Sequence, residues 1–218
     1  MPQRKTLVLL FAILFIGFGI MTHSAYLAFQ TKYPPISSTT FKLKDLYHFD
    51  LSILGKPMAT KQQCLNYLLS KNPLPQLVIS PQELVNIFYE EGFREGIRPD
   101  IALAQSLHET GFFHYGGDVI AIQNNYAGLG TTGKGIKGAQ FSQPRLGIRA
   151  QIQHLKGYTT SIAPTMNIVD PRYALLRKTP SYGKIKTWQG LNGKWAVPGI
   201  TYGQTILAIH QEILKMPK

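Results

Sequence analysis

Charged side chains and cysteines are both scarce in this chain of 218 residues. Charged residues make up 16% of the sequence, below the quarter that is usual for soluble domains, whereas 44% of the residues are hydrophobic. This balance excludes an intrinsically disordered chain, a coiled coil and a collagen. The single cysteine, Cys64, excludes an intramolecular disulfide framework and a four-cysteine zinc site.

Acidic residues are scarcer than basic residues in this chain. The 11 Asp and Glu residues face 23 Lys and Arg residues, which gives a net charge of +12. A charge of this size predicts a polyanionic partner or surface, and nucleic acid, anionic lipid and an acidic cell wall all fit. Proteins that face a cell wall are also commonly basic without one defined anionic ligand.

The N-terminal segment is free of charge over residues 6–31, and a spanning helix needs about 20 mostly apolar residues. A secretory signal peptide is the alternative, and its cleavage needs small residues at positions −3 and −1. A cut after Ala28 would place Tyr26 at −3, and a cut after Ala25 would place His23 there. The pattern therefore favours an uncleaved membrane helix.

Three parts follow from this pattern. Residues 1–32 are expected to form a single-pass membrane anchor, and residues 33–51, which include a Pro/Ser/Thr stretch, a stalk. Residues 52–218 are expected to fold as one domain on the extracytoplasmic side, facing the cell wall.

Apolar residues in this domain recur at helical spacing, and most of these runs follow a residue that commonly caps a helix. Cys64 is expected in the core of the first helix, and Asp100 is expected to cap a central, buried helix. Glu90, Glu91 and Glu95 are expected on a helix surface. Helices are predicted at about 60–69, 80–95, 100–109, 148–158 and 202–214, with loop or short strand at 115–143.

Glu109 differs from the other acidic residues because it closes a nearly apolar helix and precedes Gly111 and two phenylalanines. Desolvation beside aromatic rings and the negative end of the helix should both raise its pKa. A carboxylic acid that stays protonated near neutral pH is what cleavage of a glycosidic bond needs as its general acid. The structural alternative is a helix-end glutamate bonded to a loop.

Two other motifs are incomplete. His108 and Glu109 begin like a zinc-protease helix, but Phe112 stands where the second histidine is needed, so no metal site is predicted. Residues 128–134 resemble a phosphate-binding loop, but Gly135 replaces the required Ser or Thr, so a flexible loop is predicted.

Four ordered segments resemble bacterial glucosaminidases, glycoside hydrolase family seventy-three. Residues 100–113 resemble their catalytic helix, and residues 124–130 their Asn-Asn-aromatic-x-Gly element. Residues 145–155 are similar to the helix that follows, and residues 195–204 to a late motif that ends in Tyr-Gly or Tyr-Ala. The resemblance extends over residues 53–214.

The resemblance implies a mainly α, lysozyme-like fold with a helical lobe and a small loop or β-hairpin lobe. It implies endo-β-N-acetylglucosaminidase activity on the GlcNAc-β-1,4-MurNAc bond of peptidoglycan, with Glu109 as the acid and without a cofactor. Peptidoglycan glycan strands and the membrane are the expected partners, and nucleic acid is not.

The sequence does not decide which group is the second catalytic group. Asp118 could activate water if it lies roughly 6.5–9.5 Å from Glu109. Alternatively, the 2-acetamido group of the substrate could attack, with Tyr202 steadying the positive intermediate. The structural alternatives are a turn residue for Asp118 and a core residue for Tyr202.

Three further residues are predicted to contact sugar, because aromatic rings stack on sugar faces and amides bond to hydroxyl and acetamido groups. These are Asn125, Tyr126 and Trp195. Two alternative functions remain: a lytic transglycosylase on the same fold, which needs only one acid, and a membrane-anchored wall-binding protein without catalysis.

Overall fold

The computed structural model describes residues 51–131, 135 and 137–218, and these residues are mainly helical. The helices are α1 (Lys61–Lys71), α2 (Pro81–Glu95), α3 (Pro99–Glu109), α4 (Pro144–Thr159), α5 (Tyr173–Leu176) and α6 (Tyr202–Leu214). Short 3-10 turns lie at Ala121–Gln123 and Gln189–Leu191. In the described ranges the β structure is limited to isolated bridges, such as Leu54 with Ile97.

The predicted anchor lies outside the described residues, and so does the predicted stalk except for Leu51. The Leu51 carbonyl accepts a hydrogen bond from the Trp188 amide at 3.0 Å. Among the residues that the structure describes, none belongs to a helix long and apolar enough to cross a bilayer. The membrane anchor therefore stays a prediction.

Helix α3 is the centre of the domain, as its apolar sequence predicts. All residues from Pro99 to Leu107 are buried, and α3 packs on α1, α2 and α6. Helix α4 packs on α2, and α5 packs on α4. Glu109, the last residue of α3, therefore lies at the end of a buried helix.

Helix ends follow the sequence closely where a capping residue is present. The Thr60 side chain accepts from the Gln63 amide at 3.1 Å at the start of α1, and Ser80 accepts from the Glu83 amide at 3.1 Å at the start of α2. Helix α2 ends at Gly96, whose φ of 73° is left-handed. Such caps satisfy amide groups that have no partner inside the helix.

Asp100 does not cap α3, contrary to the prediction. The helix begins at Pro99, and the Asp100 carboxylate turns back to accept from the Met58 and Ala59 amides at 2.7 and 2.9 Å. It also contacts His210 Nε2 at 2.8 Å. Asp100 therefore ties the start of α1 and the end of α6 to α3.

The prediction that Glu91 and Glu95 lie on a helix surface is wrong. Both are buried, because α4 supplies cations that face α2. Glu91 pairs with Arg149 at 2.9 Å and with Arg145 at 3.1 Å, and Glu95 pairs with Lys156. Burial without a partner would be very costly for a carboxylate, so these pairs fix how α4 docks on α2.

Candidate active site

Glu109 is half-buried at the C-terminal end of α3. The Thr110 hydroxyl donates to the Ser106 carbonyl, one turn back in the helix, at 2.7 Å. The chain then enters left-handed backbone at Gly111, where φ is 56°. Glycine adopts this conformation without steric cost.

The two residues after Gly111 also adopt left-handed backbone, although neither is a glycine. Phe112 and Phe113 have φ of 56° and 60°, a conformation that is uncommon for bulky side chains. Their carbonyls accept hydrogen bonds from the Asn72 side chain at 2.8 Å and from the Gln76 amide at 3.0 Å. Tertiary contacts therefore stabilise the direction in which the chain leaves Glu109.

Two aromatic side chains lie against the Glu109 carboxyl group. The hydroxyl of Tyr202, the first residue of α6, donates to Glu109 Oε1, and the Trp195 indole is near enough to lower the pKa of the carboxyl group. The two rings are nearly parallel, with centroids 6.5 Å apart and planes 11° apart. Tyr202 is buried and Trp195 is partly exposed.

This environment sets the protonation state of Glu109. Burial raises its pKa from 4.5 to about 7, although Tyr202 and Trp195 act in the opposite direction. The carboxyl group is therefore substantially protonated near neutral pH, which is the state required of a general acid.

A loop covers the other carboxyl oxygen. Gly128 has a φ of 62°, and a Cβ atom at this position would lie 3.4 Å from Glu109 Oε2. The loop is closed by Asn125, whose amide nitrogen donates to the carbonyls of Leu129 and Ala139 at 2.9 and 3.1 Å. The Asn125 side-chain oxygen accepts from the Leu129 amide at 3.0 Å.

Asn125 and Tyr126 are thus buried structural residues in this loop. The Tyr126 hydroxyl donates to Asn124 Oδ1 at 3.3 Å, and its ring meets Phe113 edge-on at 6.1 Å. The loop is therefore braced against the turn that follows Glu109. Sugar contact by either residue stays a prediction, and their burial disfavours it, whereas Trp195 is exposed enough for such a contact.

Asp118 is half-exposed in the loop before the 3-10 turn at Ala121–Gln123. Within the described part of the chain, no hydrogen bond or ion pair joins it to Glu109. Of the two candidates for the second group, the structure brings Tyr202 to the acid.

Comparison with known proteins shows the family of this chain. Residues 85–215 match the glucosaminidase family, described as mannosyl-glycoprotein endo-β-N-acetylglucosaminidase. The chain belongs to the glucosaminidase family. It is also 33% identical over 164 residues to an uncharacterized protein of Borreliella burgdorferi, which covers 75% of this chain and 77% of that protein. No solved structure matches it.

Membership of the glucosaminidase family makes the chain a glycosidase by family. The matched range contains Glu109, Gly128, Trp195 and Tyr202. The fold agrees with the helical part of the expectation, and the described residues between α3 and α4 form loops and a 3-10 turn at Ala121–Gln123.

Sequence reasoning missed four polar residues behind the glucosaminidase site. Gln105 donates to the Tyr202 hydroxyl at 2.8 Å, and Gln151 donates to Gln105 at 2.8 Å. His154 bonds to Asp170 at 2.7 Å and meets Trp195 edge-on at 5.0 Å. One signal was available: Gln105 is a large polar residue in a mostly apolar, buried helix.

Proposed function

We propose that this chain is an endo-β-N-acetylglucosaminidase that cleaves the GlcNAc-β-1,4-MurNAc bond of peptidoglycan with Glu109 as general acid. The observation that carries the proposal is the pKa of about 7 for a half-buried carboxyl group inside a glucosaminidase domain. A carboxyl group with this pKa can hold a proton at the working pH and release it in the transition state.

The proton goes to the oxygen that leaves the broken glycosidic bond. As the proton departs, Glu109 becomes a carboxylate, and the Tyr202 hydroxyl and the nearby Trp195 indole stabilise the new charge. Donors that are already in place need no reorganisation during the step, which is the main source of electrostatic stabilisation in enzymes.

Tyr202 is the better supported second group. Burial and the nearby Glu109 raise its pKa well above the usual value, so it is neutral at every relevant pH. In the proposed route the 2-acetamido group attacks the anomeric carbon, and the phenol oxygen faces the positive charge that develops. Asp118 has the competing role, in which it activates water from the loop.

The charge distribution supports a wall polymer as substrate. The segment at residues 170–195 exposes six cationic side chains, whereas its one acidic residue, Asp170, is buried. The cations are Arg172, Arg177, Lys178, Lys184, Lys186 and Lys194. Peptidoglycan carries carboxylates on its peptides, so this surface would attract the polymer towards Trp195.

We further propose that the uncharged segment at residues 6–31 anchors the protein in the membrane with the glucosaminidase domain facing the wall. Hydrolysis would then be confined to glycan strands near the membrane. Cell fractionation with N-terminal sequencing tests this. Recovery in the membrane with an intact N-terminus is expected, whereas a mature protein that begins near Ala25 and is found in the medium would overturn it.

Product analysis tests the activity. Peptidoglycan is digested with the full-length chain in detergent, and fragments are identified by mass spectrometry. Reducing-end glucosamine is the expected product. An anhydro-muramyl end would instead show a lytic transglycosylase, and binding without cleavage would show a wall-binding protein.

A further inference from the structure

We propose that Gln105 and Gln151 are positioning residues that keep the Tyr202 hydroxyl pointing at Glu109 Oε1, so that the acid proton resides on Oε2 beside Gly128. The inference about catalysis rests on the proposed function, but the location of the proton does not. A chain of hydrogen bonds links these residues, and its direction is fixed at one end.

That fixed end is the backbone carbonyl of Ala102. Gln151 Nε2 lies 2.9 Å from it, and a carbonyl oxygen can only accept a hydrogen bond. The nitrogen of the Gln151 amide must therefore face Ala102, and its oxygen faces Ser106, whose hydroxyl donates at 2.8 Å. The Gln151 amide has no freedom to flip.

The orientation of the Gln151 amide determines the orientation of the Gln105 amide. The second proton of Gln151 Nε2 is donated to Gln105 Oε1 at 2.8 Å. Gln105 must then present its own nitrogen to the Tyr202 hydroxyl at 2.8 Å. Gln105, Ser106 and Gln151 are all 0% exposed, so water does not compete for these bonds.

Tyr202 is the last residue before Glu109 in this relay, the chain of hydrogen bonds from Gln151 through Gln105 and Tyr202 to Glu109. Its oxygen already accepts from Gln105, so its proton is free to be donated to Glu109 Oε1. Linked hydrogen bonds polarise one another, and each donor becomes stronger. Gln105 thus makes Tyr202 a better donor to the carboxylate that forms when the acid acts.

The consequence concerns the two oxygens of Glu109. Oε1 is held as an acceptor, so a proton on the carboxyl group resides on Oε2, next to Gly128. In the catalytic step the Oε2–H bond breaks, its electron pair stays on Oε2, and the proton moves to the leaving oxygen. Without the relay, Glu109 could instead donate its proton to Tyr202 and face away from the bond to be cleaved.

The test replaces each glutamine by methionine, which has a similar length but no hydrogen bonds. Gln105→Met and Gln151→Met are compared with Gln63→Met, a matched control. Gln63 is also buried, and its amide donates to the carbonyls of Leu214 and Met216 at 3.0 and 2.9 Å, outside the site. The wild-type protein and these three variants are prepared as the full-length chain in detergent.

Two readouts separate a positioning role from general destabilisation. The first is the pKa of the Glu109 carboxyl group, measured by ¹³C NMR of glutamate-labelled protein and assigned with Glu109→Gln. The second is kcat and KM for peptidoglycan. For Gln105→Met we expect a higher Glu109 pKa, by about 0.5 or more, and a kcat lower by about tenfold with KM nearly unchanged.

Gln151→Met should change both quantities in the same direction by a smaller amount, because Gln105 then becomes free to flip. Gln63→Met should lower stability without changing either. An unchanged Glu109 pKa in folded Gln105→Met would overturn the proposal, even if the wild-type chain proves to act on another substrate. Equal changes in Gln63→Met would overturn it as well, since they would reflect only lost stability.

Discussion

Tyr202 and Glu109 are 93 positions apart in the sequence, and their side chains share a hydrogen bond at the centre of the site. The bond joins the start of α6 to the end of α3. It connects a group that is neutral at all relevant pH values with a carboxyl group that titrates near neutrality. The first prediction follows from this pair.

Tyr202→Phe removes one donor to the Glu109 carboxylate and leaves the ring in place. Because that donor lowers the Glu109 pKa, its loss should raise the pKa further above 7. If Glu109 is the general acid, activity falls as pH rises through this pKa, so the alkaline limb of the pH–kcat profile should move to higher pH. We expect kcat at the optimum to fall by about 10- to 100-fold, as for a hydrogen bond to a charged group.

Asp118→Asn is the matched comparison for the second catalytic group. If the acetamido group attacks, the anomer is retained and Asp118→Asn keeps most of its activity. If Asp118 activates water, the anomer is inverted and the loss approaches that of Glu109→Gln. NMR of the first-formed anomer decides, and inversion with a near-normal Tyr202→Phe enzyme would refute the role given to Tyr202.

Trp195→Phe should raise the Glu109 pKa, because the indole lowers it and phenylalanine has no donor. Trp188→Phe is the control: Trp188 is fully buried, and its indole nitrogen has no hydrogen-bond partner among the described residues. The alkaline limb of the pH–kcat profile should move to higher pH in Trp195→Phe and stay in place in Trp188→Phe. A similar shift in Trp188→Phe would mean that the change is not local to the carboxyl group.

Gly128→Ala tests how closely the loop approaches the acid. Alanine here would put a methyl group 3.4 Å from Glu109 Oε2 and strain the left-handed backbone. Gly96→Ala imposes similar strain at a φ of 73° with no atom within 4 Å of the new carbon. Both should lose about 1 kcal/mol of stability, but Gly128→Ala should also lose activity. Equal activity in the two variants would place the loop outside the site.

Glu91→Gln tests the docking of α4 on α2. Burial alone would raise the pKa of Glu91, but hydrogen bonds from Arg149 and Arg145 hold it below the usual 4.5. The stabilisation from this ionised group is complete above pH 4.5 and is lost as pH falls through the lower, folded-state pKa. Denaturant unfolding should show a loss of about 2–4 kcal/mol at pH 7 and a weaker acid dependence.

Glu90→Gln is the control for that measurement. Glu90 is exposed and pairs with Arg145 at 2.7 Å, and an exposed pair contributes about 1 kcal/mol or less. If Glu90→Gln destabilised the domain as much as Glu91→Gln, burial of Glu91 would not be the source of its effect.

The five longer helices and the raised pKa of Glu109 were predictable because their signals are local. Ser80 and Gly96 mark the ends of α2 within a few residues of the helix itself. Burial raises the pKa of Glu109 to about 7, and the apolar residues around this helix end in the sequence predict that direction.

Contacts between residues that are far apart in the chain could not be predicted from the sequence. Glu91 looked like a surface residue because its partner Arg149 lies 58 positions away. The hydrogen bond from the Asn125 amide to the Ala139 carbonyl spans 14 positions, and no local pattern shows it; sugar contact by Asn125 stays a prediction. The link from Gln105 to Tyr202 crosses 97 positions, and no pattern within one helix could reveal it.

The central claim is that Glu109 is the general acid, and Glu109→Gln tests it most directly because glutamine keeps the shape and cannot supply the proton. The rate of peptidoglycan cleavage by the full-length chain is measured across pH for both proteins, with folding checked by circular dichroism. We expect the wild-type rate to fall as pH rises through about 7 and the variant to lose about 10²- to 10⁴-fold in kcat. A folded Glu109→Gln protein that keeps a third of the wild-type rate would contradict the account.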